Sequence, residues 1–298
     1  EPHGIVVQTL SSFNLYAMMF NDAAKKKGVK VACWMHGGYG GYTSLPGYDI
    51  TDFKHTENHF VYGAASKETI CSSSSILRLM YSHKIFSTLI LGSPYTEKLY
   101  TNLQKANLPK KKKITFSFLG IYDNNSYYFG YDRPYEYLNF WDECRQIVGA
   151  LSMYSDKYEI TIKDYPSSPF KFLVEELLQE LKCDEINYIS SEISYKDVIN
   201  KSNILIYPWV STSFIEGLNV EADILLFDNS NMCQTAKKTL QNCTIFSTEI
   251  AQFLNNLKDY LKHNENYKST NIAALRDYYM CSLDNDARVN KVIGFFNE

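Results

Sequence analysis

The stretch Val29-Lys30-Val31-Ala32-Cys33-Trp34-Met35-His36-Gly37-Gly38-Tyr39-Gly40-Gly41 sets an apolar run of strand character against a lone histidine and a glycine-rich turn. Upstream, Gly4-Ile5-Val6-Val7-Gln8 reads as a second buried strand, and the segment between the two as a helix. Ser11 or Ser12 caps that helix, Leu15, Met18, Met19 and Ala23 run through it, and Lys25 to Lys27 with Gly28 end it. Cations in a last turn offset the helix dipole, and a glycine just beyond supplies a left-handed residue, so the pattern is a stop signal. Strand, helix and strand in this order form a βαβ unit, with parallel strands and a right-handed crossover. A side chain at the carboxyl end of such a strand, followed by backbone free to take positive φ, is where α/β proteins meet ligands. His36 is therefore a candidate reactive group, and Gly37 and Gly38 would let a ligand approach the backbone. The alternative is a histidine that only packs beside a turn.

Composition bounds what the ligand can be. The chain has 298 residues, 45% hydrophobic and 21% charged, with a formal net charge of −3, enough for one large or two medium domains. That balance argues against a nucleic-acid binder, which carries a basic excess. No apolar run approaches the ~20 residues of a membrane helix, and no signal-peptide pattern is present. Glu1-Pro2-His3-Gly4 leads straight into a strand without an initiator methionine, which suggests a trimmed chain or one that begins inside a longer protein. Cys33, Cys71, Cys144, Cys183, Cys233, Cys243 and Cys281 show no CxxC or CxC spacing. They fit reduced thiols of a cytoplasmic protein better than a zinc site or a disulfide framework.

Downstream the alternation continues. Asn58 to Gly63 and Thr88 to Pro94 read as strands with small turn residues at their exits, and Tyr95 to Asn107 as a helix. Lys110 to Lys113 then precede a fresh strand, Ile114 to Leu119, and mark a linker and domain start. The block also reads as a solvated loop or as a patch for an acidic membrane surface. A long helix from about Tyr135 to Met153 follows, then strand Tyr158 to Ile162, a helix over Lys171 to Lys182, a strand at Ile186 to Ile189 and a short helix near Ser194 to Lys201. Strand Ile204 to Tyr207, a helix over Phe214 to Asn219 and strand Asp223 to Asp228 complete the alternation, and the remainder from about Ser247 reads as helical. Such βαβα order predicts an α/β fold with parallel sheets covered by helices. The expected domains are 1–112, which reads as short and truncated, and 113–298, with the C-terminal helices.

The second candidate site is Tyr207-Pro208-Trp209-Val210-Ser211-Thr212-Ser213-Phe214-Ile215-Glu216-Gly217. Here a buried strand ends and three hydroxyl residues open a helix, whose unpaired N–H groups and dipole suit a phosphate. The alternative is plain N-capping by Ser211 or Thr212. Glu216, one helical turn after Ser213, is placed to accept hydrogen bonds from a ribose. Lys163-Asp164-Tyr165-Pro166 also ends a strand, where Lys163 and Tyr165 would offer a cation and a phenol, or merely a proline turn. Gly120 opens the loop after the first strand of the second domain, where close ligand approach is feasible without a GxGxxG pattern. Asp284-Asn285-Asp286 matches an Asp-x-Asp metal motif in form, yet it lies between helices and Asp284 is more simply an N-cap. No metal site is expected.

The order βαβ, His-Gly-Gly-x-Gly, strand-Tyr-Gly, strand-Gly-Ser-Pro, then a second α/β unit ending in Ser-Thr-Ser-x-x-Glu, resembles the GT-B glycosyltransferases of bacterial surface-carbohydrate synthesis. More distantly it is similar to capsule Kdo transferases and CDP-glycerol glycerophosphotransferases. The resemblance covers about residues 5–230. It implies two Rossmann-like parallel-sheet domains facing a cleft, the first on the acceptor side and the second binding the nucleotide. It implies a metal-independent glycosyltransferase with no cofactor beyond its nucleotide-sugar substrate, CMP-sugars standing slightly ahead of other donors. The acceptor would be a surface glycan or glycolipid, in the cytoplasm or at the inner face of the membrane, with peripheral membrane association. His36 would serve as catalytic base for the acceptor hydroxyl or as a hydrogen-bond donor to the donor's phosphate, while Ser211, Thr212, Ser213 and Lys163 would hold the donor phosphates. Many CMP-sugar enzymes of this group carry His-Pro where Tyr165-Pro166 stands here. Alternatives are a CDP-polyol phosphotransferase, a sugar-nucleotide 2-epimerase, or a non-catalytic module that binds nucleotide or glycan.

Overall fold

A computed structural model describes residues 5–8, 15–35, 56–71, 87–101, 112–118, 137–164, 171–190, 192–229, 232, 234–263 and 271–297. In chain order the first elements are β1 (Ile5–Gln8), α1 (Leu15–Lys26), β2 (Lys30–Trp34), β3 (Asn58–Val61), α2 (Ala64–Cys71), β4 (Ser87–Ile90) and α3 (Pro94–Thr101). Then come β5 (Lys113–Ser117), α4 (Tyr137–Ser152), β6 (Glu159–Lys163), α5 (Lys171–Glu180), β7 (Asn187–Ile189), α6 (Tyr195–Ile199) and β8 (Ile204–Tyr207). The chain continues through α7 (Thr212–Gly217), β9 (Asp223–Phe227), α8 (Gln234–Cys243), β10 (Ile245–Ser247), α9 (Ile250–His263), α10 (Ile272–Tyr279) and α11 (Asn285–Asn297). Two compact units result: Glu1–Glu97 with Asn231–Lys237 and Arg276–Glu298, and Lys98–Ser230 with Lys238–Leu275. The C-terminal segment Arg276–Glu298 groups with the first unit.

In the first unit the described strands form a parallel sheet in the order β1-β2-β3-β4. The βαβ expectation holds, since Ile5 pairs with Lys30 and Gln8 with Cys33 in parallel register. Helix α1 stops as its sequence predicts. Gly28 sits at φ 74°, its N–H donates to the Lys25 carbonyl and the Val29 N–H to the Ala24 carbonyl, a Schellman closure. One face of the sheet buries Ala32, Phe60 and Leu91 against Phe296, with Leu283, Val292 and Phe295 packed around them. A segment nearly two hundred residues downstream thus supplies one wall of this core. Arg288 of α11 fastens it: buried, it donates through Nε to the Leu91 carbonyl at 2.9 Å and through Nη2 to both Glu97 oxygens at 2.7 and 2.6 Å. Asp284 caps α11 by accepting from Ala287 N at 2.7 Å, so the Asp-x-Asp lookalike is a helix start.

The second unit holds a six-stranded parallel sheet in the order β10-β9-β8-β5-β6-β7. Its central strands read as unbroken buried runs because both faces are covered. Helices α4 and α9 share one core with the sheet, joining Ile147, Leu151, Phe253 and Leu257 to Phe116, Ile160, Ile162, Leu225 and Phe227. Each such side chain fully withdrawn from water contributes about 1.5–3 kcal/mol. Among the described residues, no helix is long and apolar enough to cross a membrane.

Candidate functional site

The strand order of the second unit decides where a ligand can sit. From β5 the chain proceeds outward through β6 and β7, whereas from β8 it proceeds the other way through β9 and β10. Connections leaving adjacent strands in opposite directions open a crevice at their carboxyl ends, the usual ligand position in such sheets. The last residue of β5 is Ser117 and the last of β8 is Tyr207, and they are neighbours because Phe116 pairs with Ile206. Lys163 ends β6 as the register partner of Ser117. Strand pleating therefore puts Ser117, Lys163 and Tyr207 on one face.

A hydroxyl chain underlies this crevice. Tyr195, opening α6, donates to the Tyr207 hydroxyl at 2.8 Å, and its oxygen lies 2.8 Å from Ser117 Oγ. Since the Tyr195 proton is spent on Tyr207, Ser117 is the donor of the pair. Burial pushes both phenols above their ordinary range, so they act as neutral hydroxyls at any working pH. Above Tyr207 lies α7. A Cβ at Gly217 would stand 1.9 Å from the Tyr207 hydroxyl, so only glycine lets the helix settle on that ring.

The start of α7 is built as its sequence suggests. Ser211 is extended, at φ −142° and ψ 178°, and its Oγ accepts from Phe214 N at 3.4 Å. The Val210 N–H donates to Asp228 Oδ2 at 2.7 Å, tying the approach segment to the residue that follows β9. Ser211 is buried, Ser213 half-buried and Thr212 exposed. Capping uses an oxygen lone pair of Ser211 and leaves its hydroxyl proton able to donate. Glu216 is buried on the same short helix, and burial pushes its carboxyl up to about 7. A carboxyl poised there changes charge near neutral pH.

Lys163 takes a different place from the one expected of a phosphate-binding cation. It is 3% exposed, and its ammonium donates to the carbonyls of Asp164 and Ser190, both at 2.9 Å. Burial lowers its pKa, with Asp164 acting in the opposite sense. Asp164 in turn accepts from the Tyr188 hydroxyl at 2.6 Å. The cluster therefore ties together the ends of β6 and β7.

His36, Gly37, Gly38, Gly120 and Tyr165 lie outside the described residues. The structure brings together Ser211, Thr212, Ser213 and Glu216 on one element and adds Ser117, Tyr195, Gly217 and Asp228, which the sequence had not singled out as site residues. In the first unit, the glycine of the Gly92-Ser93-Pro94 turn serves the fold: at φ 71°, a Cβ there would stand 1.9 Å from the Cys281 carbonyl oxygen. It seats the returning C-terminal segment, whose Cys281 N–H donates to Tyr62 O at 2.8 Å.

No family model matches the chain, and no curated protein matches it by sequence. Its fold does match solved structures. The UDP-GlcNAc 2-epimerase of Neisseria meningitidis, bound to UDP-GlcNAc, is similar at TM-score 0.56 and 11% identity, over 99% of this chain and 76% of that one. HepE of Anabaena, in complex with UDP and glucose, gives 0.53 and 10% over 99% and 77%. TarM of S. aureus, in complex with fondaparinux, α-GlcNAc-glycerol and UDP, gives 0.52 and 9% over 91% of this chain and 52% of that one. The chain thus spans about half the length of TarM and about three quarters of the other two. At these identities the likeness shows the fold, which is GT-B-like with two Rossmann-like units.

Proposed function

We propose that this chain is a nucleotide-sugar-dependent glycosyltransferase that moves a sugar from its donor to a surface glycan or glycolipid acceptor. The observation that carries the reading is the placement of Ser211, Ser213 and Glu216 on or at the start of α7, the helix that follows β8 where strand order reverses in the six-stranded sheet. In this reading the first N–H groups of α7, with the hydroxyls of Ser211, Thr212 and Ser213, take the donor phosphates. Their partial positive charge grows in value as negative charge develops on the leaving nucleotide. No metal ion is assigned to that task. Glu216 accepts from the ribose hydroxyls, Lys163 adds positive potential beneath the site, and Gly120 and Tyr165 are assigned to donor binding. His36, flanked by Gly37 and Gly38, takes the proton of the attacking acceptor hydroxyl or donates to the donor phosphate. The enzyme would act in the cytoplasm, at the inner face of the membrane where the acceptor is lipid-linked. Structural neighbours that hold UDP support a nucleotide ligand, and CMP remains the first donor nucleotide to try.

A thermal-shift screen with CMP, CDP, UDP, GDP and ADP tests the site directly. One nucleotide should raise the melting temperature, and Ser213→Ala with Thr212→Ala should weaken its binding by about tenfold, or ~1.4 kcal/mol. Unchanged affinity would remove the phosphate role. His36→Ala should abolish transfer and leave nucleotide binding intact. The epimerase alternative is separated by its products, because an epimerase consumes UDP-sugar with no acceptor present. A CDP-polyol phosphotransferase would release CMP and leave phosphate in the product.

A further inference from the structure

Helix α1 carries three large side chains on its outer face. The face turned to the protein carries Ala17 and Asn21, both buried, while Tyr16, Met19 and Phe20 are 82%, 61% and 53% exposed. At 100° per residue these three share one side of the helix with Ala23, also exposed. That side continues into Lys26 and Lys27, exposed at the helix end. The nearby Lys25 pairs with Glu57 at 3.5 Å, and Asp22 lies on the flank as the one acidic side chain of the helix. The exposed strip is therefore aromatic and apolar at one end and cationic at the other.

We propose that this face of α1 is a docking surface for an anionic lipid bilayer. From Tyr16 to Lys27 the strip is roughly 16 Å long, the dimension of a helix lying in the plane of the interface. Among the described residues the strip sets three large side chains beside two lysines, and that pairing of apolar and cationic groups suits a shallow contact with an anionic interface. Tyrosine suits the boundary between headgroup and acyl chain because its ring is apolar and its hydroxyl wet. The two lysines meet anionic headgroups, each giving roughly a fivefold gain in partitioning that salt screens away. Together the contacts make a weak, reversible anchor. The proposal deepens the reading above by locating where a lipid-linked acceptor's membrane is met, and rests on that reading only for the acceptor being lipid-linked.

The test is co-sedimentation of the full chain with vesicles of phosphatidylglycerol and phosphatidylcholine, against phosphatidylcholine alone. Binding should need the anionic lipid and fall with added salt. Met19→Ser with Phe20→Ser should reduce it at least tenfold, and Lys26→Glu with Lys27→Glu should abolish the preference for phosphatidylglycerol. All four positions are exposed, so both variants should stay folded and keep their shift with nucleotide, Lys26→Glu with Lys27→Glu melting a little lower because it sets anions at a helix C-terminus. The proposal fails if the parent ignores anionic vesicles or if neither variant alters sedimentation. It also fails if light scattering shows that Met19→Ser with Phe20→Ser converts a dimer to a monomer, since a second copy would then cover the face. Vesicle binding is read without nucleotide, so a missing donor site and a missing membrane site give separate results.

Discussion

Glu216 holds a carboxyl where water barely reaches, and its cost has a definite pH dependence. Folding raises its pKa from the ordinary glutamate value to about 7 through burial. The folded state therefore binds this proton more tightly than the unfolded chain. Stability from this group is greatest below the unfolded pKa and declines as pH rises toward 7, after which the full penalty of the buried charge is present. Glu216→Gln removes that penalty. In urea titrations the variant should gain on the parent by on the order of 3 kcal/mol between pH 4.5 and pH 8, with the difference shrinking as the buffer is acidified. A constant difference across that range would show that the carboxyl is not buried as described. A second residue-scale test concerns Gly217, where a methyl group meets the Tyr207 hydroxyl at 1.9 Å. Gly217→Ala should cost about 1–3 kcal/mol, and adding Tyr207→Phe should return part of it, because the two positions are in contact and their effects do not add.

Among the elements, α11 fastens the core of the first unit through Arg288. Arg288→Ala would leave both Glu97 oxygens without their guanidinium partner and take a donor from the carbonyls of Leu91 and Leu283. Breaking one side of a buried ion pair costs about 3–5 kcal/mol, measured as a lower urea midpoint. Arg288→Lys should recover little of it, since one ammonium cannot reach acceptors spread around a planar fork. The elements themselves were legible to the degree that their burial was regular. Helix α1 announced its stop through Lys25, Lys26 and Gly28, and β8 and β9 stood out as apolar runs. Helix α8 escaped notice because Ala236 and Leu240 are its buried side chains, and β10 spans three residues, too short to show a period. The site was half legible for a related reason. Ser211 and Glu216 lie within one local pattern, strand then cap then turn. Ser117 and Tyr195 are 78 positions apart and meet only once the sheet is ordered.

For the whole molecule, the two units differ in how the chain composes them. The second is built mainly from one long stretch, interrupted at Asn231–Lys237, whereas the first needs Arg276–Glu298 to close its sheet. A chain stopped after Ser282 lacks Leu283, Val292, Phe295 and Phe296, and so exposes Ala32, Phe60 and Leu91. Scanning calorimetry should show the transition of the first unit lowered or lost, with increased binding of a hydrophobic dye. The nucleotide-dependent shift assigned to the second unit should persist. Loss of both together would mean that the units do not melt separately.

That returning segment also fixes a schedule. During synthesis β4 leaves the ribosome long before α11 does; at 5–20 residues per second the interval is roughly 10 to 40 s. Throughout it, the β1–β4 sheet has its Phe60 and Leu91 face uncovered, while the intervening chain can already build its own sheet. The first strands made are thus among the last to be sealed. In the cell this chain should lean on holding chaperones for its opening strands, and codon changes that slow translation between β4 and α11 should lower its yield more than the same changes downstream of α11's start.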